Sequence, residues 1–376
     1  MDAGARVGAG LPSGHGGPRQ ALVLVGTVKG VFVLRGDATR RRWQLDGPLL
    51  AGQEIAALAL AHRDGRPLLL AGGHSEHWGP AVMSSDDLGR SWVEAGPVRF
   101  PVGENAAVTR IWQLQPGAGG ALYAGVEPAA LFVSLDGGAS FELVRSLWDH
   151  PHRPQWQPGG GGLCLHTVIE DPTSPKRLWV AISTGGVYRS SDGGETWQAR
   201  NAGIATPFLP VDEPPEFGQC VHKVDRHPTR PDTLFLQHHW GVYRSDDGGD
   251  SWHSIGDALP SDFGFPVVVD PNDADTVYVI PLASDMFRCT PDGRCRVYRT
   301  ADGGATWTAL TTGLPQEHAH LTVLRDAFTA DDASPTGLYF GTRSGEVFSS
   351  ADAGASWSTL ARHLPAVLCV RAGMIG

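Results

Sequence analysis

Two stretches of the chain carry a cysteine and a histidine at matched places, "GLCLHTVIEDP" at 162–172 and "GQCVHKVDRHP" at 218–228. Each reads Gly-x-Cys-x-His, and the two histidines, His166 and His222, stand 56 positions apart. A neutral imidazole can accept a proton, return it, or hold a transition metal through either ring nitrogen. A further pair, His238 and His239 in "LQHHWG", follows His222. Three imidazoles from His166, His222 and His239 (or His238) would suit a divalent Zn or Fe ion and leave one position open for water or substrate. Without a metal, His166 or His222 would act as general base or acid, Arg110 or Arg343 would hold an anionic group, and Glu127 would orient an imidazole. Neither set follows a local ligand motif, so both chemistries need a fold that brings distant segments together. The plain alternative is that each histidine is a hydrogen-bonded core residue inherited by duplicated segments. Cys164 and Cys220, two residues before each histidine, read as small buried apolar side chains.

The elements that must position these residues repeat. The string Ser/Thr-x-Asp-x-Gly-x-Ser/Thr-Trp/Phe occurs six times, as "SDDLGRSW" (85–92), "SLDGGASF" (134–141), "SSDGGETW" (190–197), "SDDGGDSW" (245–252), "TADGGATW" (300–307) and "SADAGASW" (350–357). Its carboxylates, Asp87, Asp136, Asp192, Asp247, Asp302 and Asp352, are spaced by 49, 56, 55, 55 and 50 residues. That spacing is the length of one four-stranded propeller blade plus loop insertions. An Asp can accept hydrogen bonds from its own turn, and the following Gly allows a positive φ. A catalytic group is needed once, whereas a turn is needed in every blade, so these carboxylates are structural.

The six strings resemble the Asp-box, or BNR repeat, of sialidases, xyloglucanases, sortilin-type receptors and photosystem assembly factors. From about Ala21 to Val370 the chain is similar to bacterial Asp-box propellers of the WD40/YVTN/BNR-like kind that carry the label exo-alpha-sialidase. The resemblance implies a propeller and leaves function to the site. A standard sialidase is not expected, because that chemistry needs three arginines on a carboxylate, a Tyr–Glu nucleophile pair and an acidic residue. The six tyrosines fall in repeated places, Tyr188, Tyr243 and Tyr298 in "VYR" and Tyr123, Tyr278 and Tyr339 in the preceding strands.

The pattern around the boxes predicts an all-β, seven-bladed propeller of four-stranded antiparallel blades over residues 21–376, with residues 1–20 as a flexible arm. "ALVLVGTVKGVFVLRGDATRRRWQL" supplies three strands of the first blade, and "AVLCVRA" at 366–372 supplies its inner strand, so the chain ends should pair. Closing the ring removes exposed sheet edges. Six blades are the alternative. Aligned on the residue before the inner-strand Pro, Arg110, His166, His222 and Phe265 come into register near the starts of inner strands, at one mouth of the channel. Turns from second to third strands meet there and add Glu127, His238, His239, Arg343 and Lys29, with His74, Glu76 and His77 in "AGGHSEHWGP". Arg343, Lys29, His74, Glu76, His77 and Phe265 are the expected substrate contacts. Insertions at 145–162 and 202–218 fall on the same face, and insertions on one face of a repeat protein usually build its binding surface.

Composition narrows the classes of function. A net charge of −10 without a basic cluster argues against nucleic acid or an anionic membrane as partner. Arg40-Arg41-Arg42 reads as a short solvated turn. Five cysteines fit a reducing, cytoplasmic setting, with Cys289 and Cys295 as free thiols rather than a hairpin disulfide. The expectation is an enzyme of hydrolase or lyase type, metal-assisted or not, acting on a small polar or anionic molecule. A ligand- or protein-binding propeller of assembly-factor type is the alternative.

Overall fold

Short runs of β-branched and aromatic residues, broken by Gly-rich turns, favour many short strands over helices. In the computed structural model, which describes residues 19–63, 65–77, 79–207 and 214–376, they form seven four-stranded antiparallel sheets. The expected N-terminal arm lies almost wholly outside the described residues. Among the described residues no helix is long and apolar enough to cross a membrane.

Each sheet is one blade, running outwards from its innermost strand. The innermost strands are Glu54–Arg63, Arg110–Pro116, Cys164–Asp171, Val221–Arg226, Gly264–Val269 and Phe328–Ala330 for blades two to seven. Blade one takes its innermost strand from the C-terminal segment, Val367–Ile375, which pairs antiparallel with Gln20–Thr27 from Gln20–Ile375 inwards. The ring therefore closes through its own chain ends with seven blades rather than six.

The Asp-box turns are alike in all six copies. In the blade-four copy, the Ser190 hydroxyl donates to Asp192 Oδ1 (2.7 Å) and accepts from the Gly194 amide (2.8 Å). The Thr196 amide donates to Asp192 Oδ1 (2.9 Å) and the Thr196 hydroxyl to Oδ2 (2.6 Å). Those hydroxyls, the Thr196 one first, hold Asp192 at about 2, below the ordinary carboxylate value, and Thr306 does the same for Asp302. In three of the six boxes the closing indole hydrogen-bonds to the chain segment after the preceding blade. The Trp252 indole donates to Arg200 O (2.9 Å) and the Trp307 indole to Ile255 O (2.7 Å). The recurrent strand tyrosines are also structural, since Tyr278 donates to Asp270 and Tyr339 to Asp331.

One basic residue departs from the solvated-turn expectation. Arg41 and Arg42 are exposed, but Arg40 is buried, with its side chain 7% exposed against the 1% exposed Asp331 of blade seven. Its guanidinium also donates to Pro335 O (2.9 Å) and Ala351 O (3.1 Å). The residue adopts φ +58°, turning the side chain across the seam between the first and last blades.

Two outcomes follow from this architecture. Arg40→Ala leaves Asp331 buried without its cation and is expected to cost about 3–5 kcal/mol, measured by denaturant unfolding. The Asp-box carboxylates ionise more readily folded than unfolded, so their stabilisation is full above the unfolded value and is lost as pH falls. Thermal unfolding should show a drop in stability from about pH 4 to about pH 2, and Asp192→Asn with Asp302→Asn should flatten it.

Candidate functional site

A cavity of about 670 Å³ opens at one mouth of the channel. Its wall includes residues at or beside the starts of inner strands, such as Glu54, Arg110, Cys220 and Phe265, and turns between second and third strands, such as Thr184, His239 and Arg343. No Asp-box residue lines it, so the box turns and the cavity occupy opposite faces, as the topology predicts. A second cavity of about 480 Å³ lies at the other mouth. Between them stands a charged cluster in which Lys223 and Arg371 each pair with Asp326 Oδ1 at 2.7 Å. Asp326 lines the first cavity, and its two cations line the second.

The inner strands share an irregularity that sets which side chains reach the cavity. Pairing with the second strand skips Ala56, Trp112, His166 and His222 in blades two to five, and Phe265 with Pro266 in blade six. A β-bulge of this kind re-aims one side chain and is common beside functional sites. It also corrects the expected register. Trp112, not Arg110, is the equivalent of His166 and His222, while Arg110 matches Cys164, Cys220 and Glu54. Blade three has a shorter run from bulge to Pro, so alignment on the Pro slid it by two residues.

His166 does not join the others. It is fully buried, its Nδ1 contacts Thr167 Oγ1 (3.0 Å) and its Nε2 contacts Val221 O (3.0 Å). Both ring nitrogens are thus engaged by protein, which rules it out as metal ligand or general base here and makes it the core histidine of the plain alternative. Burial, then the Arg325 charge, pushes its pKa well below the ordinary value. His238 is likewise buried and held at about 3 by burial.

His222 and His239 do come together, with their ring centroids 5.4 Å apart. His222 Nδ1 faces Gly264 O (2.5 Å), a carbonyl, so this nitrogen carries the proton and Nε2 keeps its lone pair. That Nε2 lies 3.8 Å from Cys220 Sγ, and His239 Nδ1 lies 3.7 Å from the same sulfur. His239 Nε2 faces Asp285 Oδ2 at 3.5 Å. Burial lowers the pKa of both histidines, and for His239 it prevails over Asp285. Burial also pushes the Cys220 thiol up to about 11. Phe263 and Phe265 pack against the imidazoles, with Phe265 4.9 Å from His222 and Phe263 4.9 Å from His239. Cys220 therefore sits between two imidazoles rather than filling core space. Cys164, its equivalent in blade four, is fully buried and receives Arg325 Nη1 at 3.5 Å.

The cavity also carries cations, one of them, Arg288, over the Phe265 ring (5.6 Å). Arg110, Arg288, Arg325 and Arg343 all line the cavity. Arg110 is paired with Glu54, and it stacks on Trp112 (4.9 Å to the ring), as does Arg325 (5.1 Å). Burial lowers the Arg110 pKa, as do Arg343 and Arg325 through their charge. Among the described residues Arg288, Arg325 and Arg343 form no ion pair with a carboxylate. Glu127 accepts from the Trp112 indole (3.0 Å) and orients that ring rather than an imidazole. Gly159, Gly160 and Gly161 of the first insertion form part of the wall, and Gly162 (φ +97°) packs so tightly on Glu127 that a Cβ there would meet its carboxylate.

The remaining expected contacts lie outside this wall. Lys29 is exposed beside Val28, which lines the cavity, and His74, Glu76 and His77 are not among the lining residues. Sequence reasoning passed over Arg288, Arg325, Trp112 and Asp285. The one available signal was the parity of Cys220 with Arg110 and Glu54, obscured by the bulge. All five cysteines are free, including Cys289 and Cys295.

A family model described as BNR/Asp-box repeat matches residues 188–199. The chain is 24% identical over 240 residues to a xyloglucanase of Paenibacillus sp., across 58% of this chain and 22% of that protein. The structure of the GH74 enzyme of Niastella koreensis superposes with a TM-score of 0.59 at 18% identity, covering 90% of this chain and 55% of that one. YCF48 bound to a D1 peptide superposes with a TM-score of 0.53 at 14% identity, covering 93% and 88%. The relatives so named are xyloglucanases rather than sialidases, and this chain spans only about a quarter of the first one's length. At these identities the structural likeness speaks for fold alone: the chain is a seven-bladed propeller in which residues 188–199 match the BNR/Asp-box repeat.

Proposed function

We propose that the channel mouth is the active site of an enzyme, of hydrolase or lyase type, acting on a small carboxylate- or phosphate-bearing molecule. The observation that carries this reading is the convergence of Arg288, Arg325 and Arg343, none ion-paired among the described residues, on the cavity that also holds His222, His239 and Cys220. A guanidinium fork matches a carboxylate or phosphate, and three around one cavity favour an anion in its centre. Arg325 is held in place by Trp112 and the Cys164 sulfur, so part of the cradle is preorganised. An anion so bound would place its reacting end against the imidazole wall, where neutral nitrogens supply lone pairs. The volume suits a metabolite-sized ligand, and the Lys223–Asp326–Arg371 cluster stands between this cavity and the one at the other mouth. The likeness to xyloglucanases supports hydrolase chemistry, whereas the cationic lining favours a charged substrate over a neutral polysaccharide.

Thermal-shift titration with inorganic phosphate and citrate, against neutral glucose, tests the reading. The anions are expected to raise the melting temperature, and Arg325→Gln or Arg343→Gln should weaken them about ten- to a hundredfold, the effect of about 1.5–3 kcal/mol for a charged hydrogen bond. No anion effect, or release of reducing ends from xyloglucan unaffected by these variants, overturns it. If the free imidazoles act as bases, the acid limb of kcat/KM should lie below pH 6.5, because burial lowers the pKa of His222 and His239 and both keep their lone pairs at pH values that protonate an ordinary imidazole.

A further inference from the structure

The thiol of Cys220 and the imidazoles of His222 and His239 present three donor atoms that all lie within 4.8 Å of one another. The two sulfur–nitrogen separations, 3.8 and 3.7 Å, have a simple geometric meaning. A tetrahedral zinc ion with Zn–S of about 2.3 Å and Zn–N of about 2.05 Å holds its sulfur and nitrogen ligands about 3.6 Å apart. The sulfur therefore already stands close to ligand spacing from each imidazole nitrogen, and the third separation stays within 4.8 Å. Their outward sides are arranged to match. His222 gives its other ring nitrogen to Gly264 O, and His239 turns its other nitrogen to the Asp285 carboxylate. Such outer partners fix the tautomer that leaves the inner nitrogen unprotonated. Phe263 and Phe265 pack edge-on or tilted against the imidazoles and supply an apolar backing for the cluster.

The neighbouring blade provides an internal contrast. Cys164 and His166 repeat the same Cys-x-His on the same strand position, yet there the sulfur meets Arg325 and both imidazole nitrogens are bonded to protein. Only in blade five does a second-to-third-strand turn bring another imidazole, His239, to the sulfur. One thiolate and two imidazoles select zinc-like ions over magnesium or calcium, which take oxygen ligands. Three protein ligands leave a fourth position, the arrangement of catalytic rather than structural zinc sites.

We propose that Cys220, His222 and His239 form a three-ligand site for a zinc-class divalent ion, with its open coordination position facing the arginine-lined cavity. This assignment replaces His166 by Cys220 in the ligand set expected from sequence, and it stands whether or not the substrate is an anion.

The test uses untagged full-length protein, stripped with a chelator and titrated with Co2+ or Zn2+ alone. One equivalent of Co2+ should bind with a sulfur-to-cobalt charge-transfer band and the intense visible bands of a tetrahedral ion, and Zn2+ should bleach them. Cys220→Ser should abolish the charge-transfer band and His239→Ala the tetrahedral spectrum, while Asp285→Asn should weaken binding about ten- to a hundredfold. Cys164→Ser, with His74→Ala as a second control should the buried change impair folding, should leave the spectrum unchanged. Circular dichroism of each variant separates lost metal from lost fold. Absence of a stoichiometric Co2+ complex in the wild type overturns the assignment, as does a charge-transfer band that survives in folded Cys220→Ser. Alkylation of Cys220 by iodoacetamide at an undiminished rate in the presence of Zn2+ overturns it as well.

Discussion

Everything at the channel mouth depends on the closure of the ring. Seven sheets each bury one face against the next, and an open array would leave the first and last faces wet. The pairing of Gln20–Thr27 with Val367–Ile375 removes those edges, and the buried Arg40–Asp331 contact crosses the same seam. Arg325, Arg343 and Leu368 come from the end of the chain, whereas Val28 and Glu54 come from its beginning. Only closure puts these residues on the wall of one cavity. A propeller that failed to close would retain most blades and lose the site.

The two faces of the ring divide the labour. On one, hydroxyls and amides saturate the Asp-box carboxylates within their own turns, which holds the turns rigid and leaves no free group for chemistry. On the other, inner strands begin with a bulge, and the bulge admits side chains of different character from blade to blade. Alanine, tryptophan, histidine and phenylalanine occupy it in turn. The scaffold is thus uniform where it carries load between blades and variable where it meets a ligand. Burial on this face depresses the histidine pKa values and raises that of Cys220, so the site is poised with neutral donors in an arginine-lined cavity.

The paired Cys-x-His segments show how duplication and environment separate. They share a strand position and a bulge. In blade four the thiol meets a guanidinium and the imidazole is locked by Thr167 and the Val221 carbonyl, which makes the pair a packing unit. In blade five the imidazole turns one nitrogen to the Cys220 sulfur, and His239 completes a donor cluster around that sulfur. The difference lies in the neighbours, not in the strand.

Much of the fold was legible in the chain because its signals are local. An Asp-box is a turn whose donors and acceptors lie within eight residues, so six copies at regular spacing announce blades without any long-range information. The missing inner strand of blade one, and its likeness to 366–372, announced closure. The mouth that would hold the site followed from strand order alone. The site itself did not follow. Whether His166 is satisfied depends on a carbonyl 55 residues away, whether Arg40 is buried depends on a carboxylate 291 residues away, and the partner of Cys164 lies 161 residues on. A bulge shifts which residue faces the channel without changing hydrophobic alternation in a readable way. Local hydrogen bonding writes the blades into the sequence, whereas the wall of the cavity is set by contacts that exist only once the ring has closed.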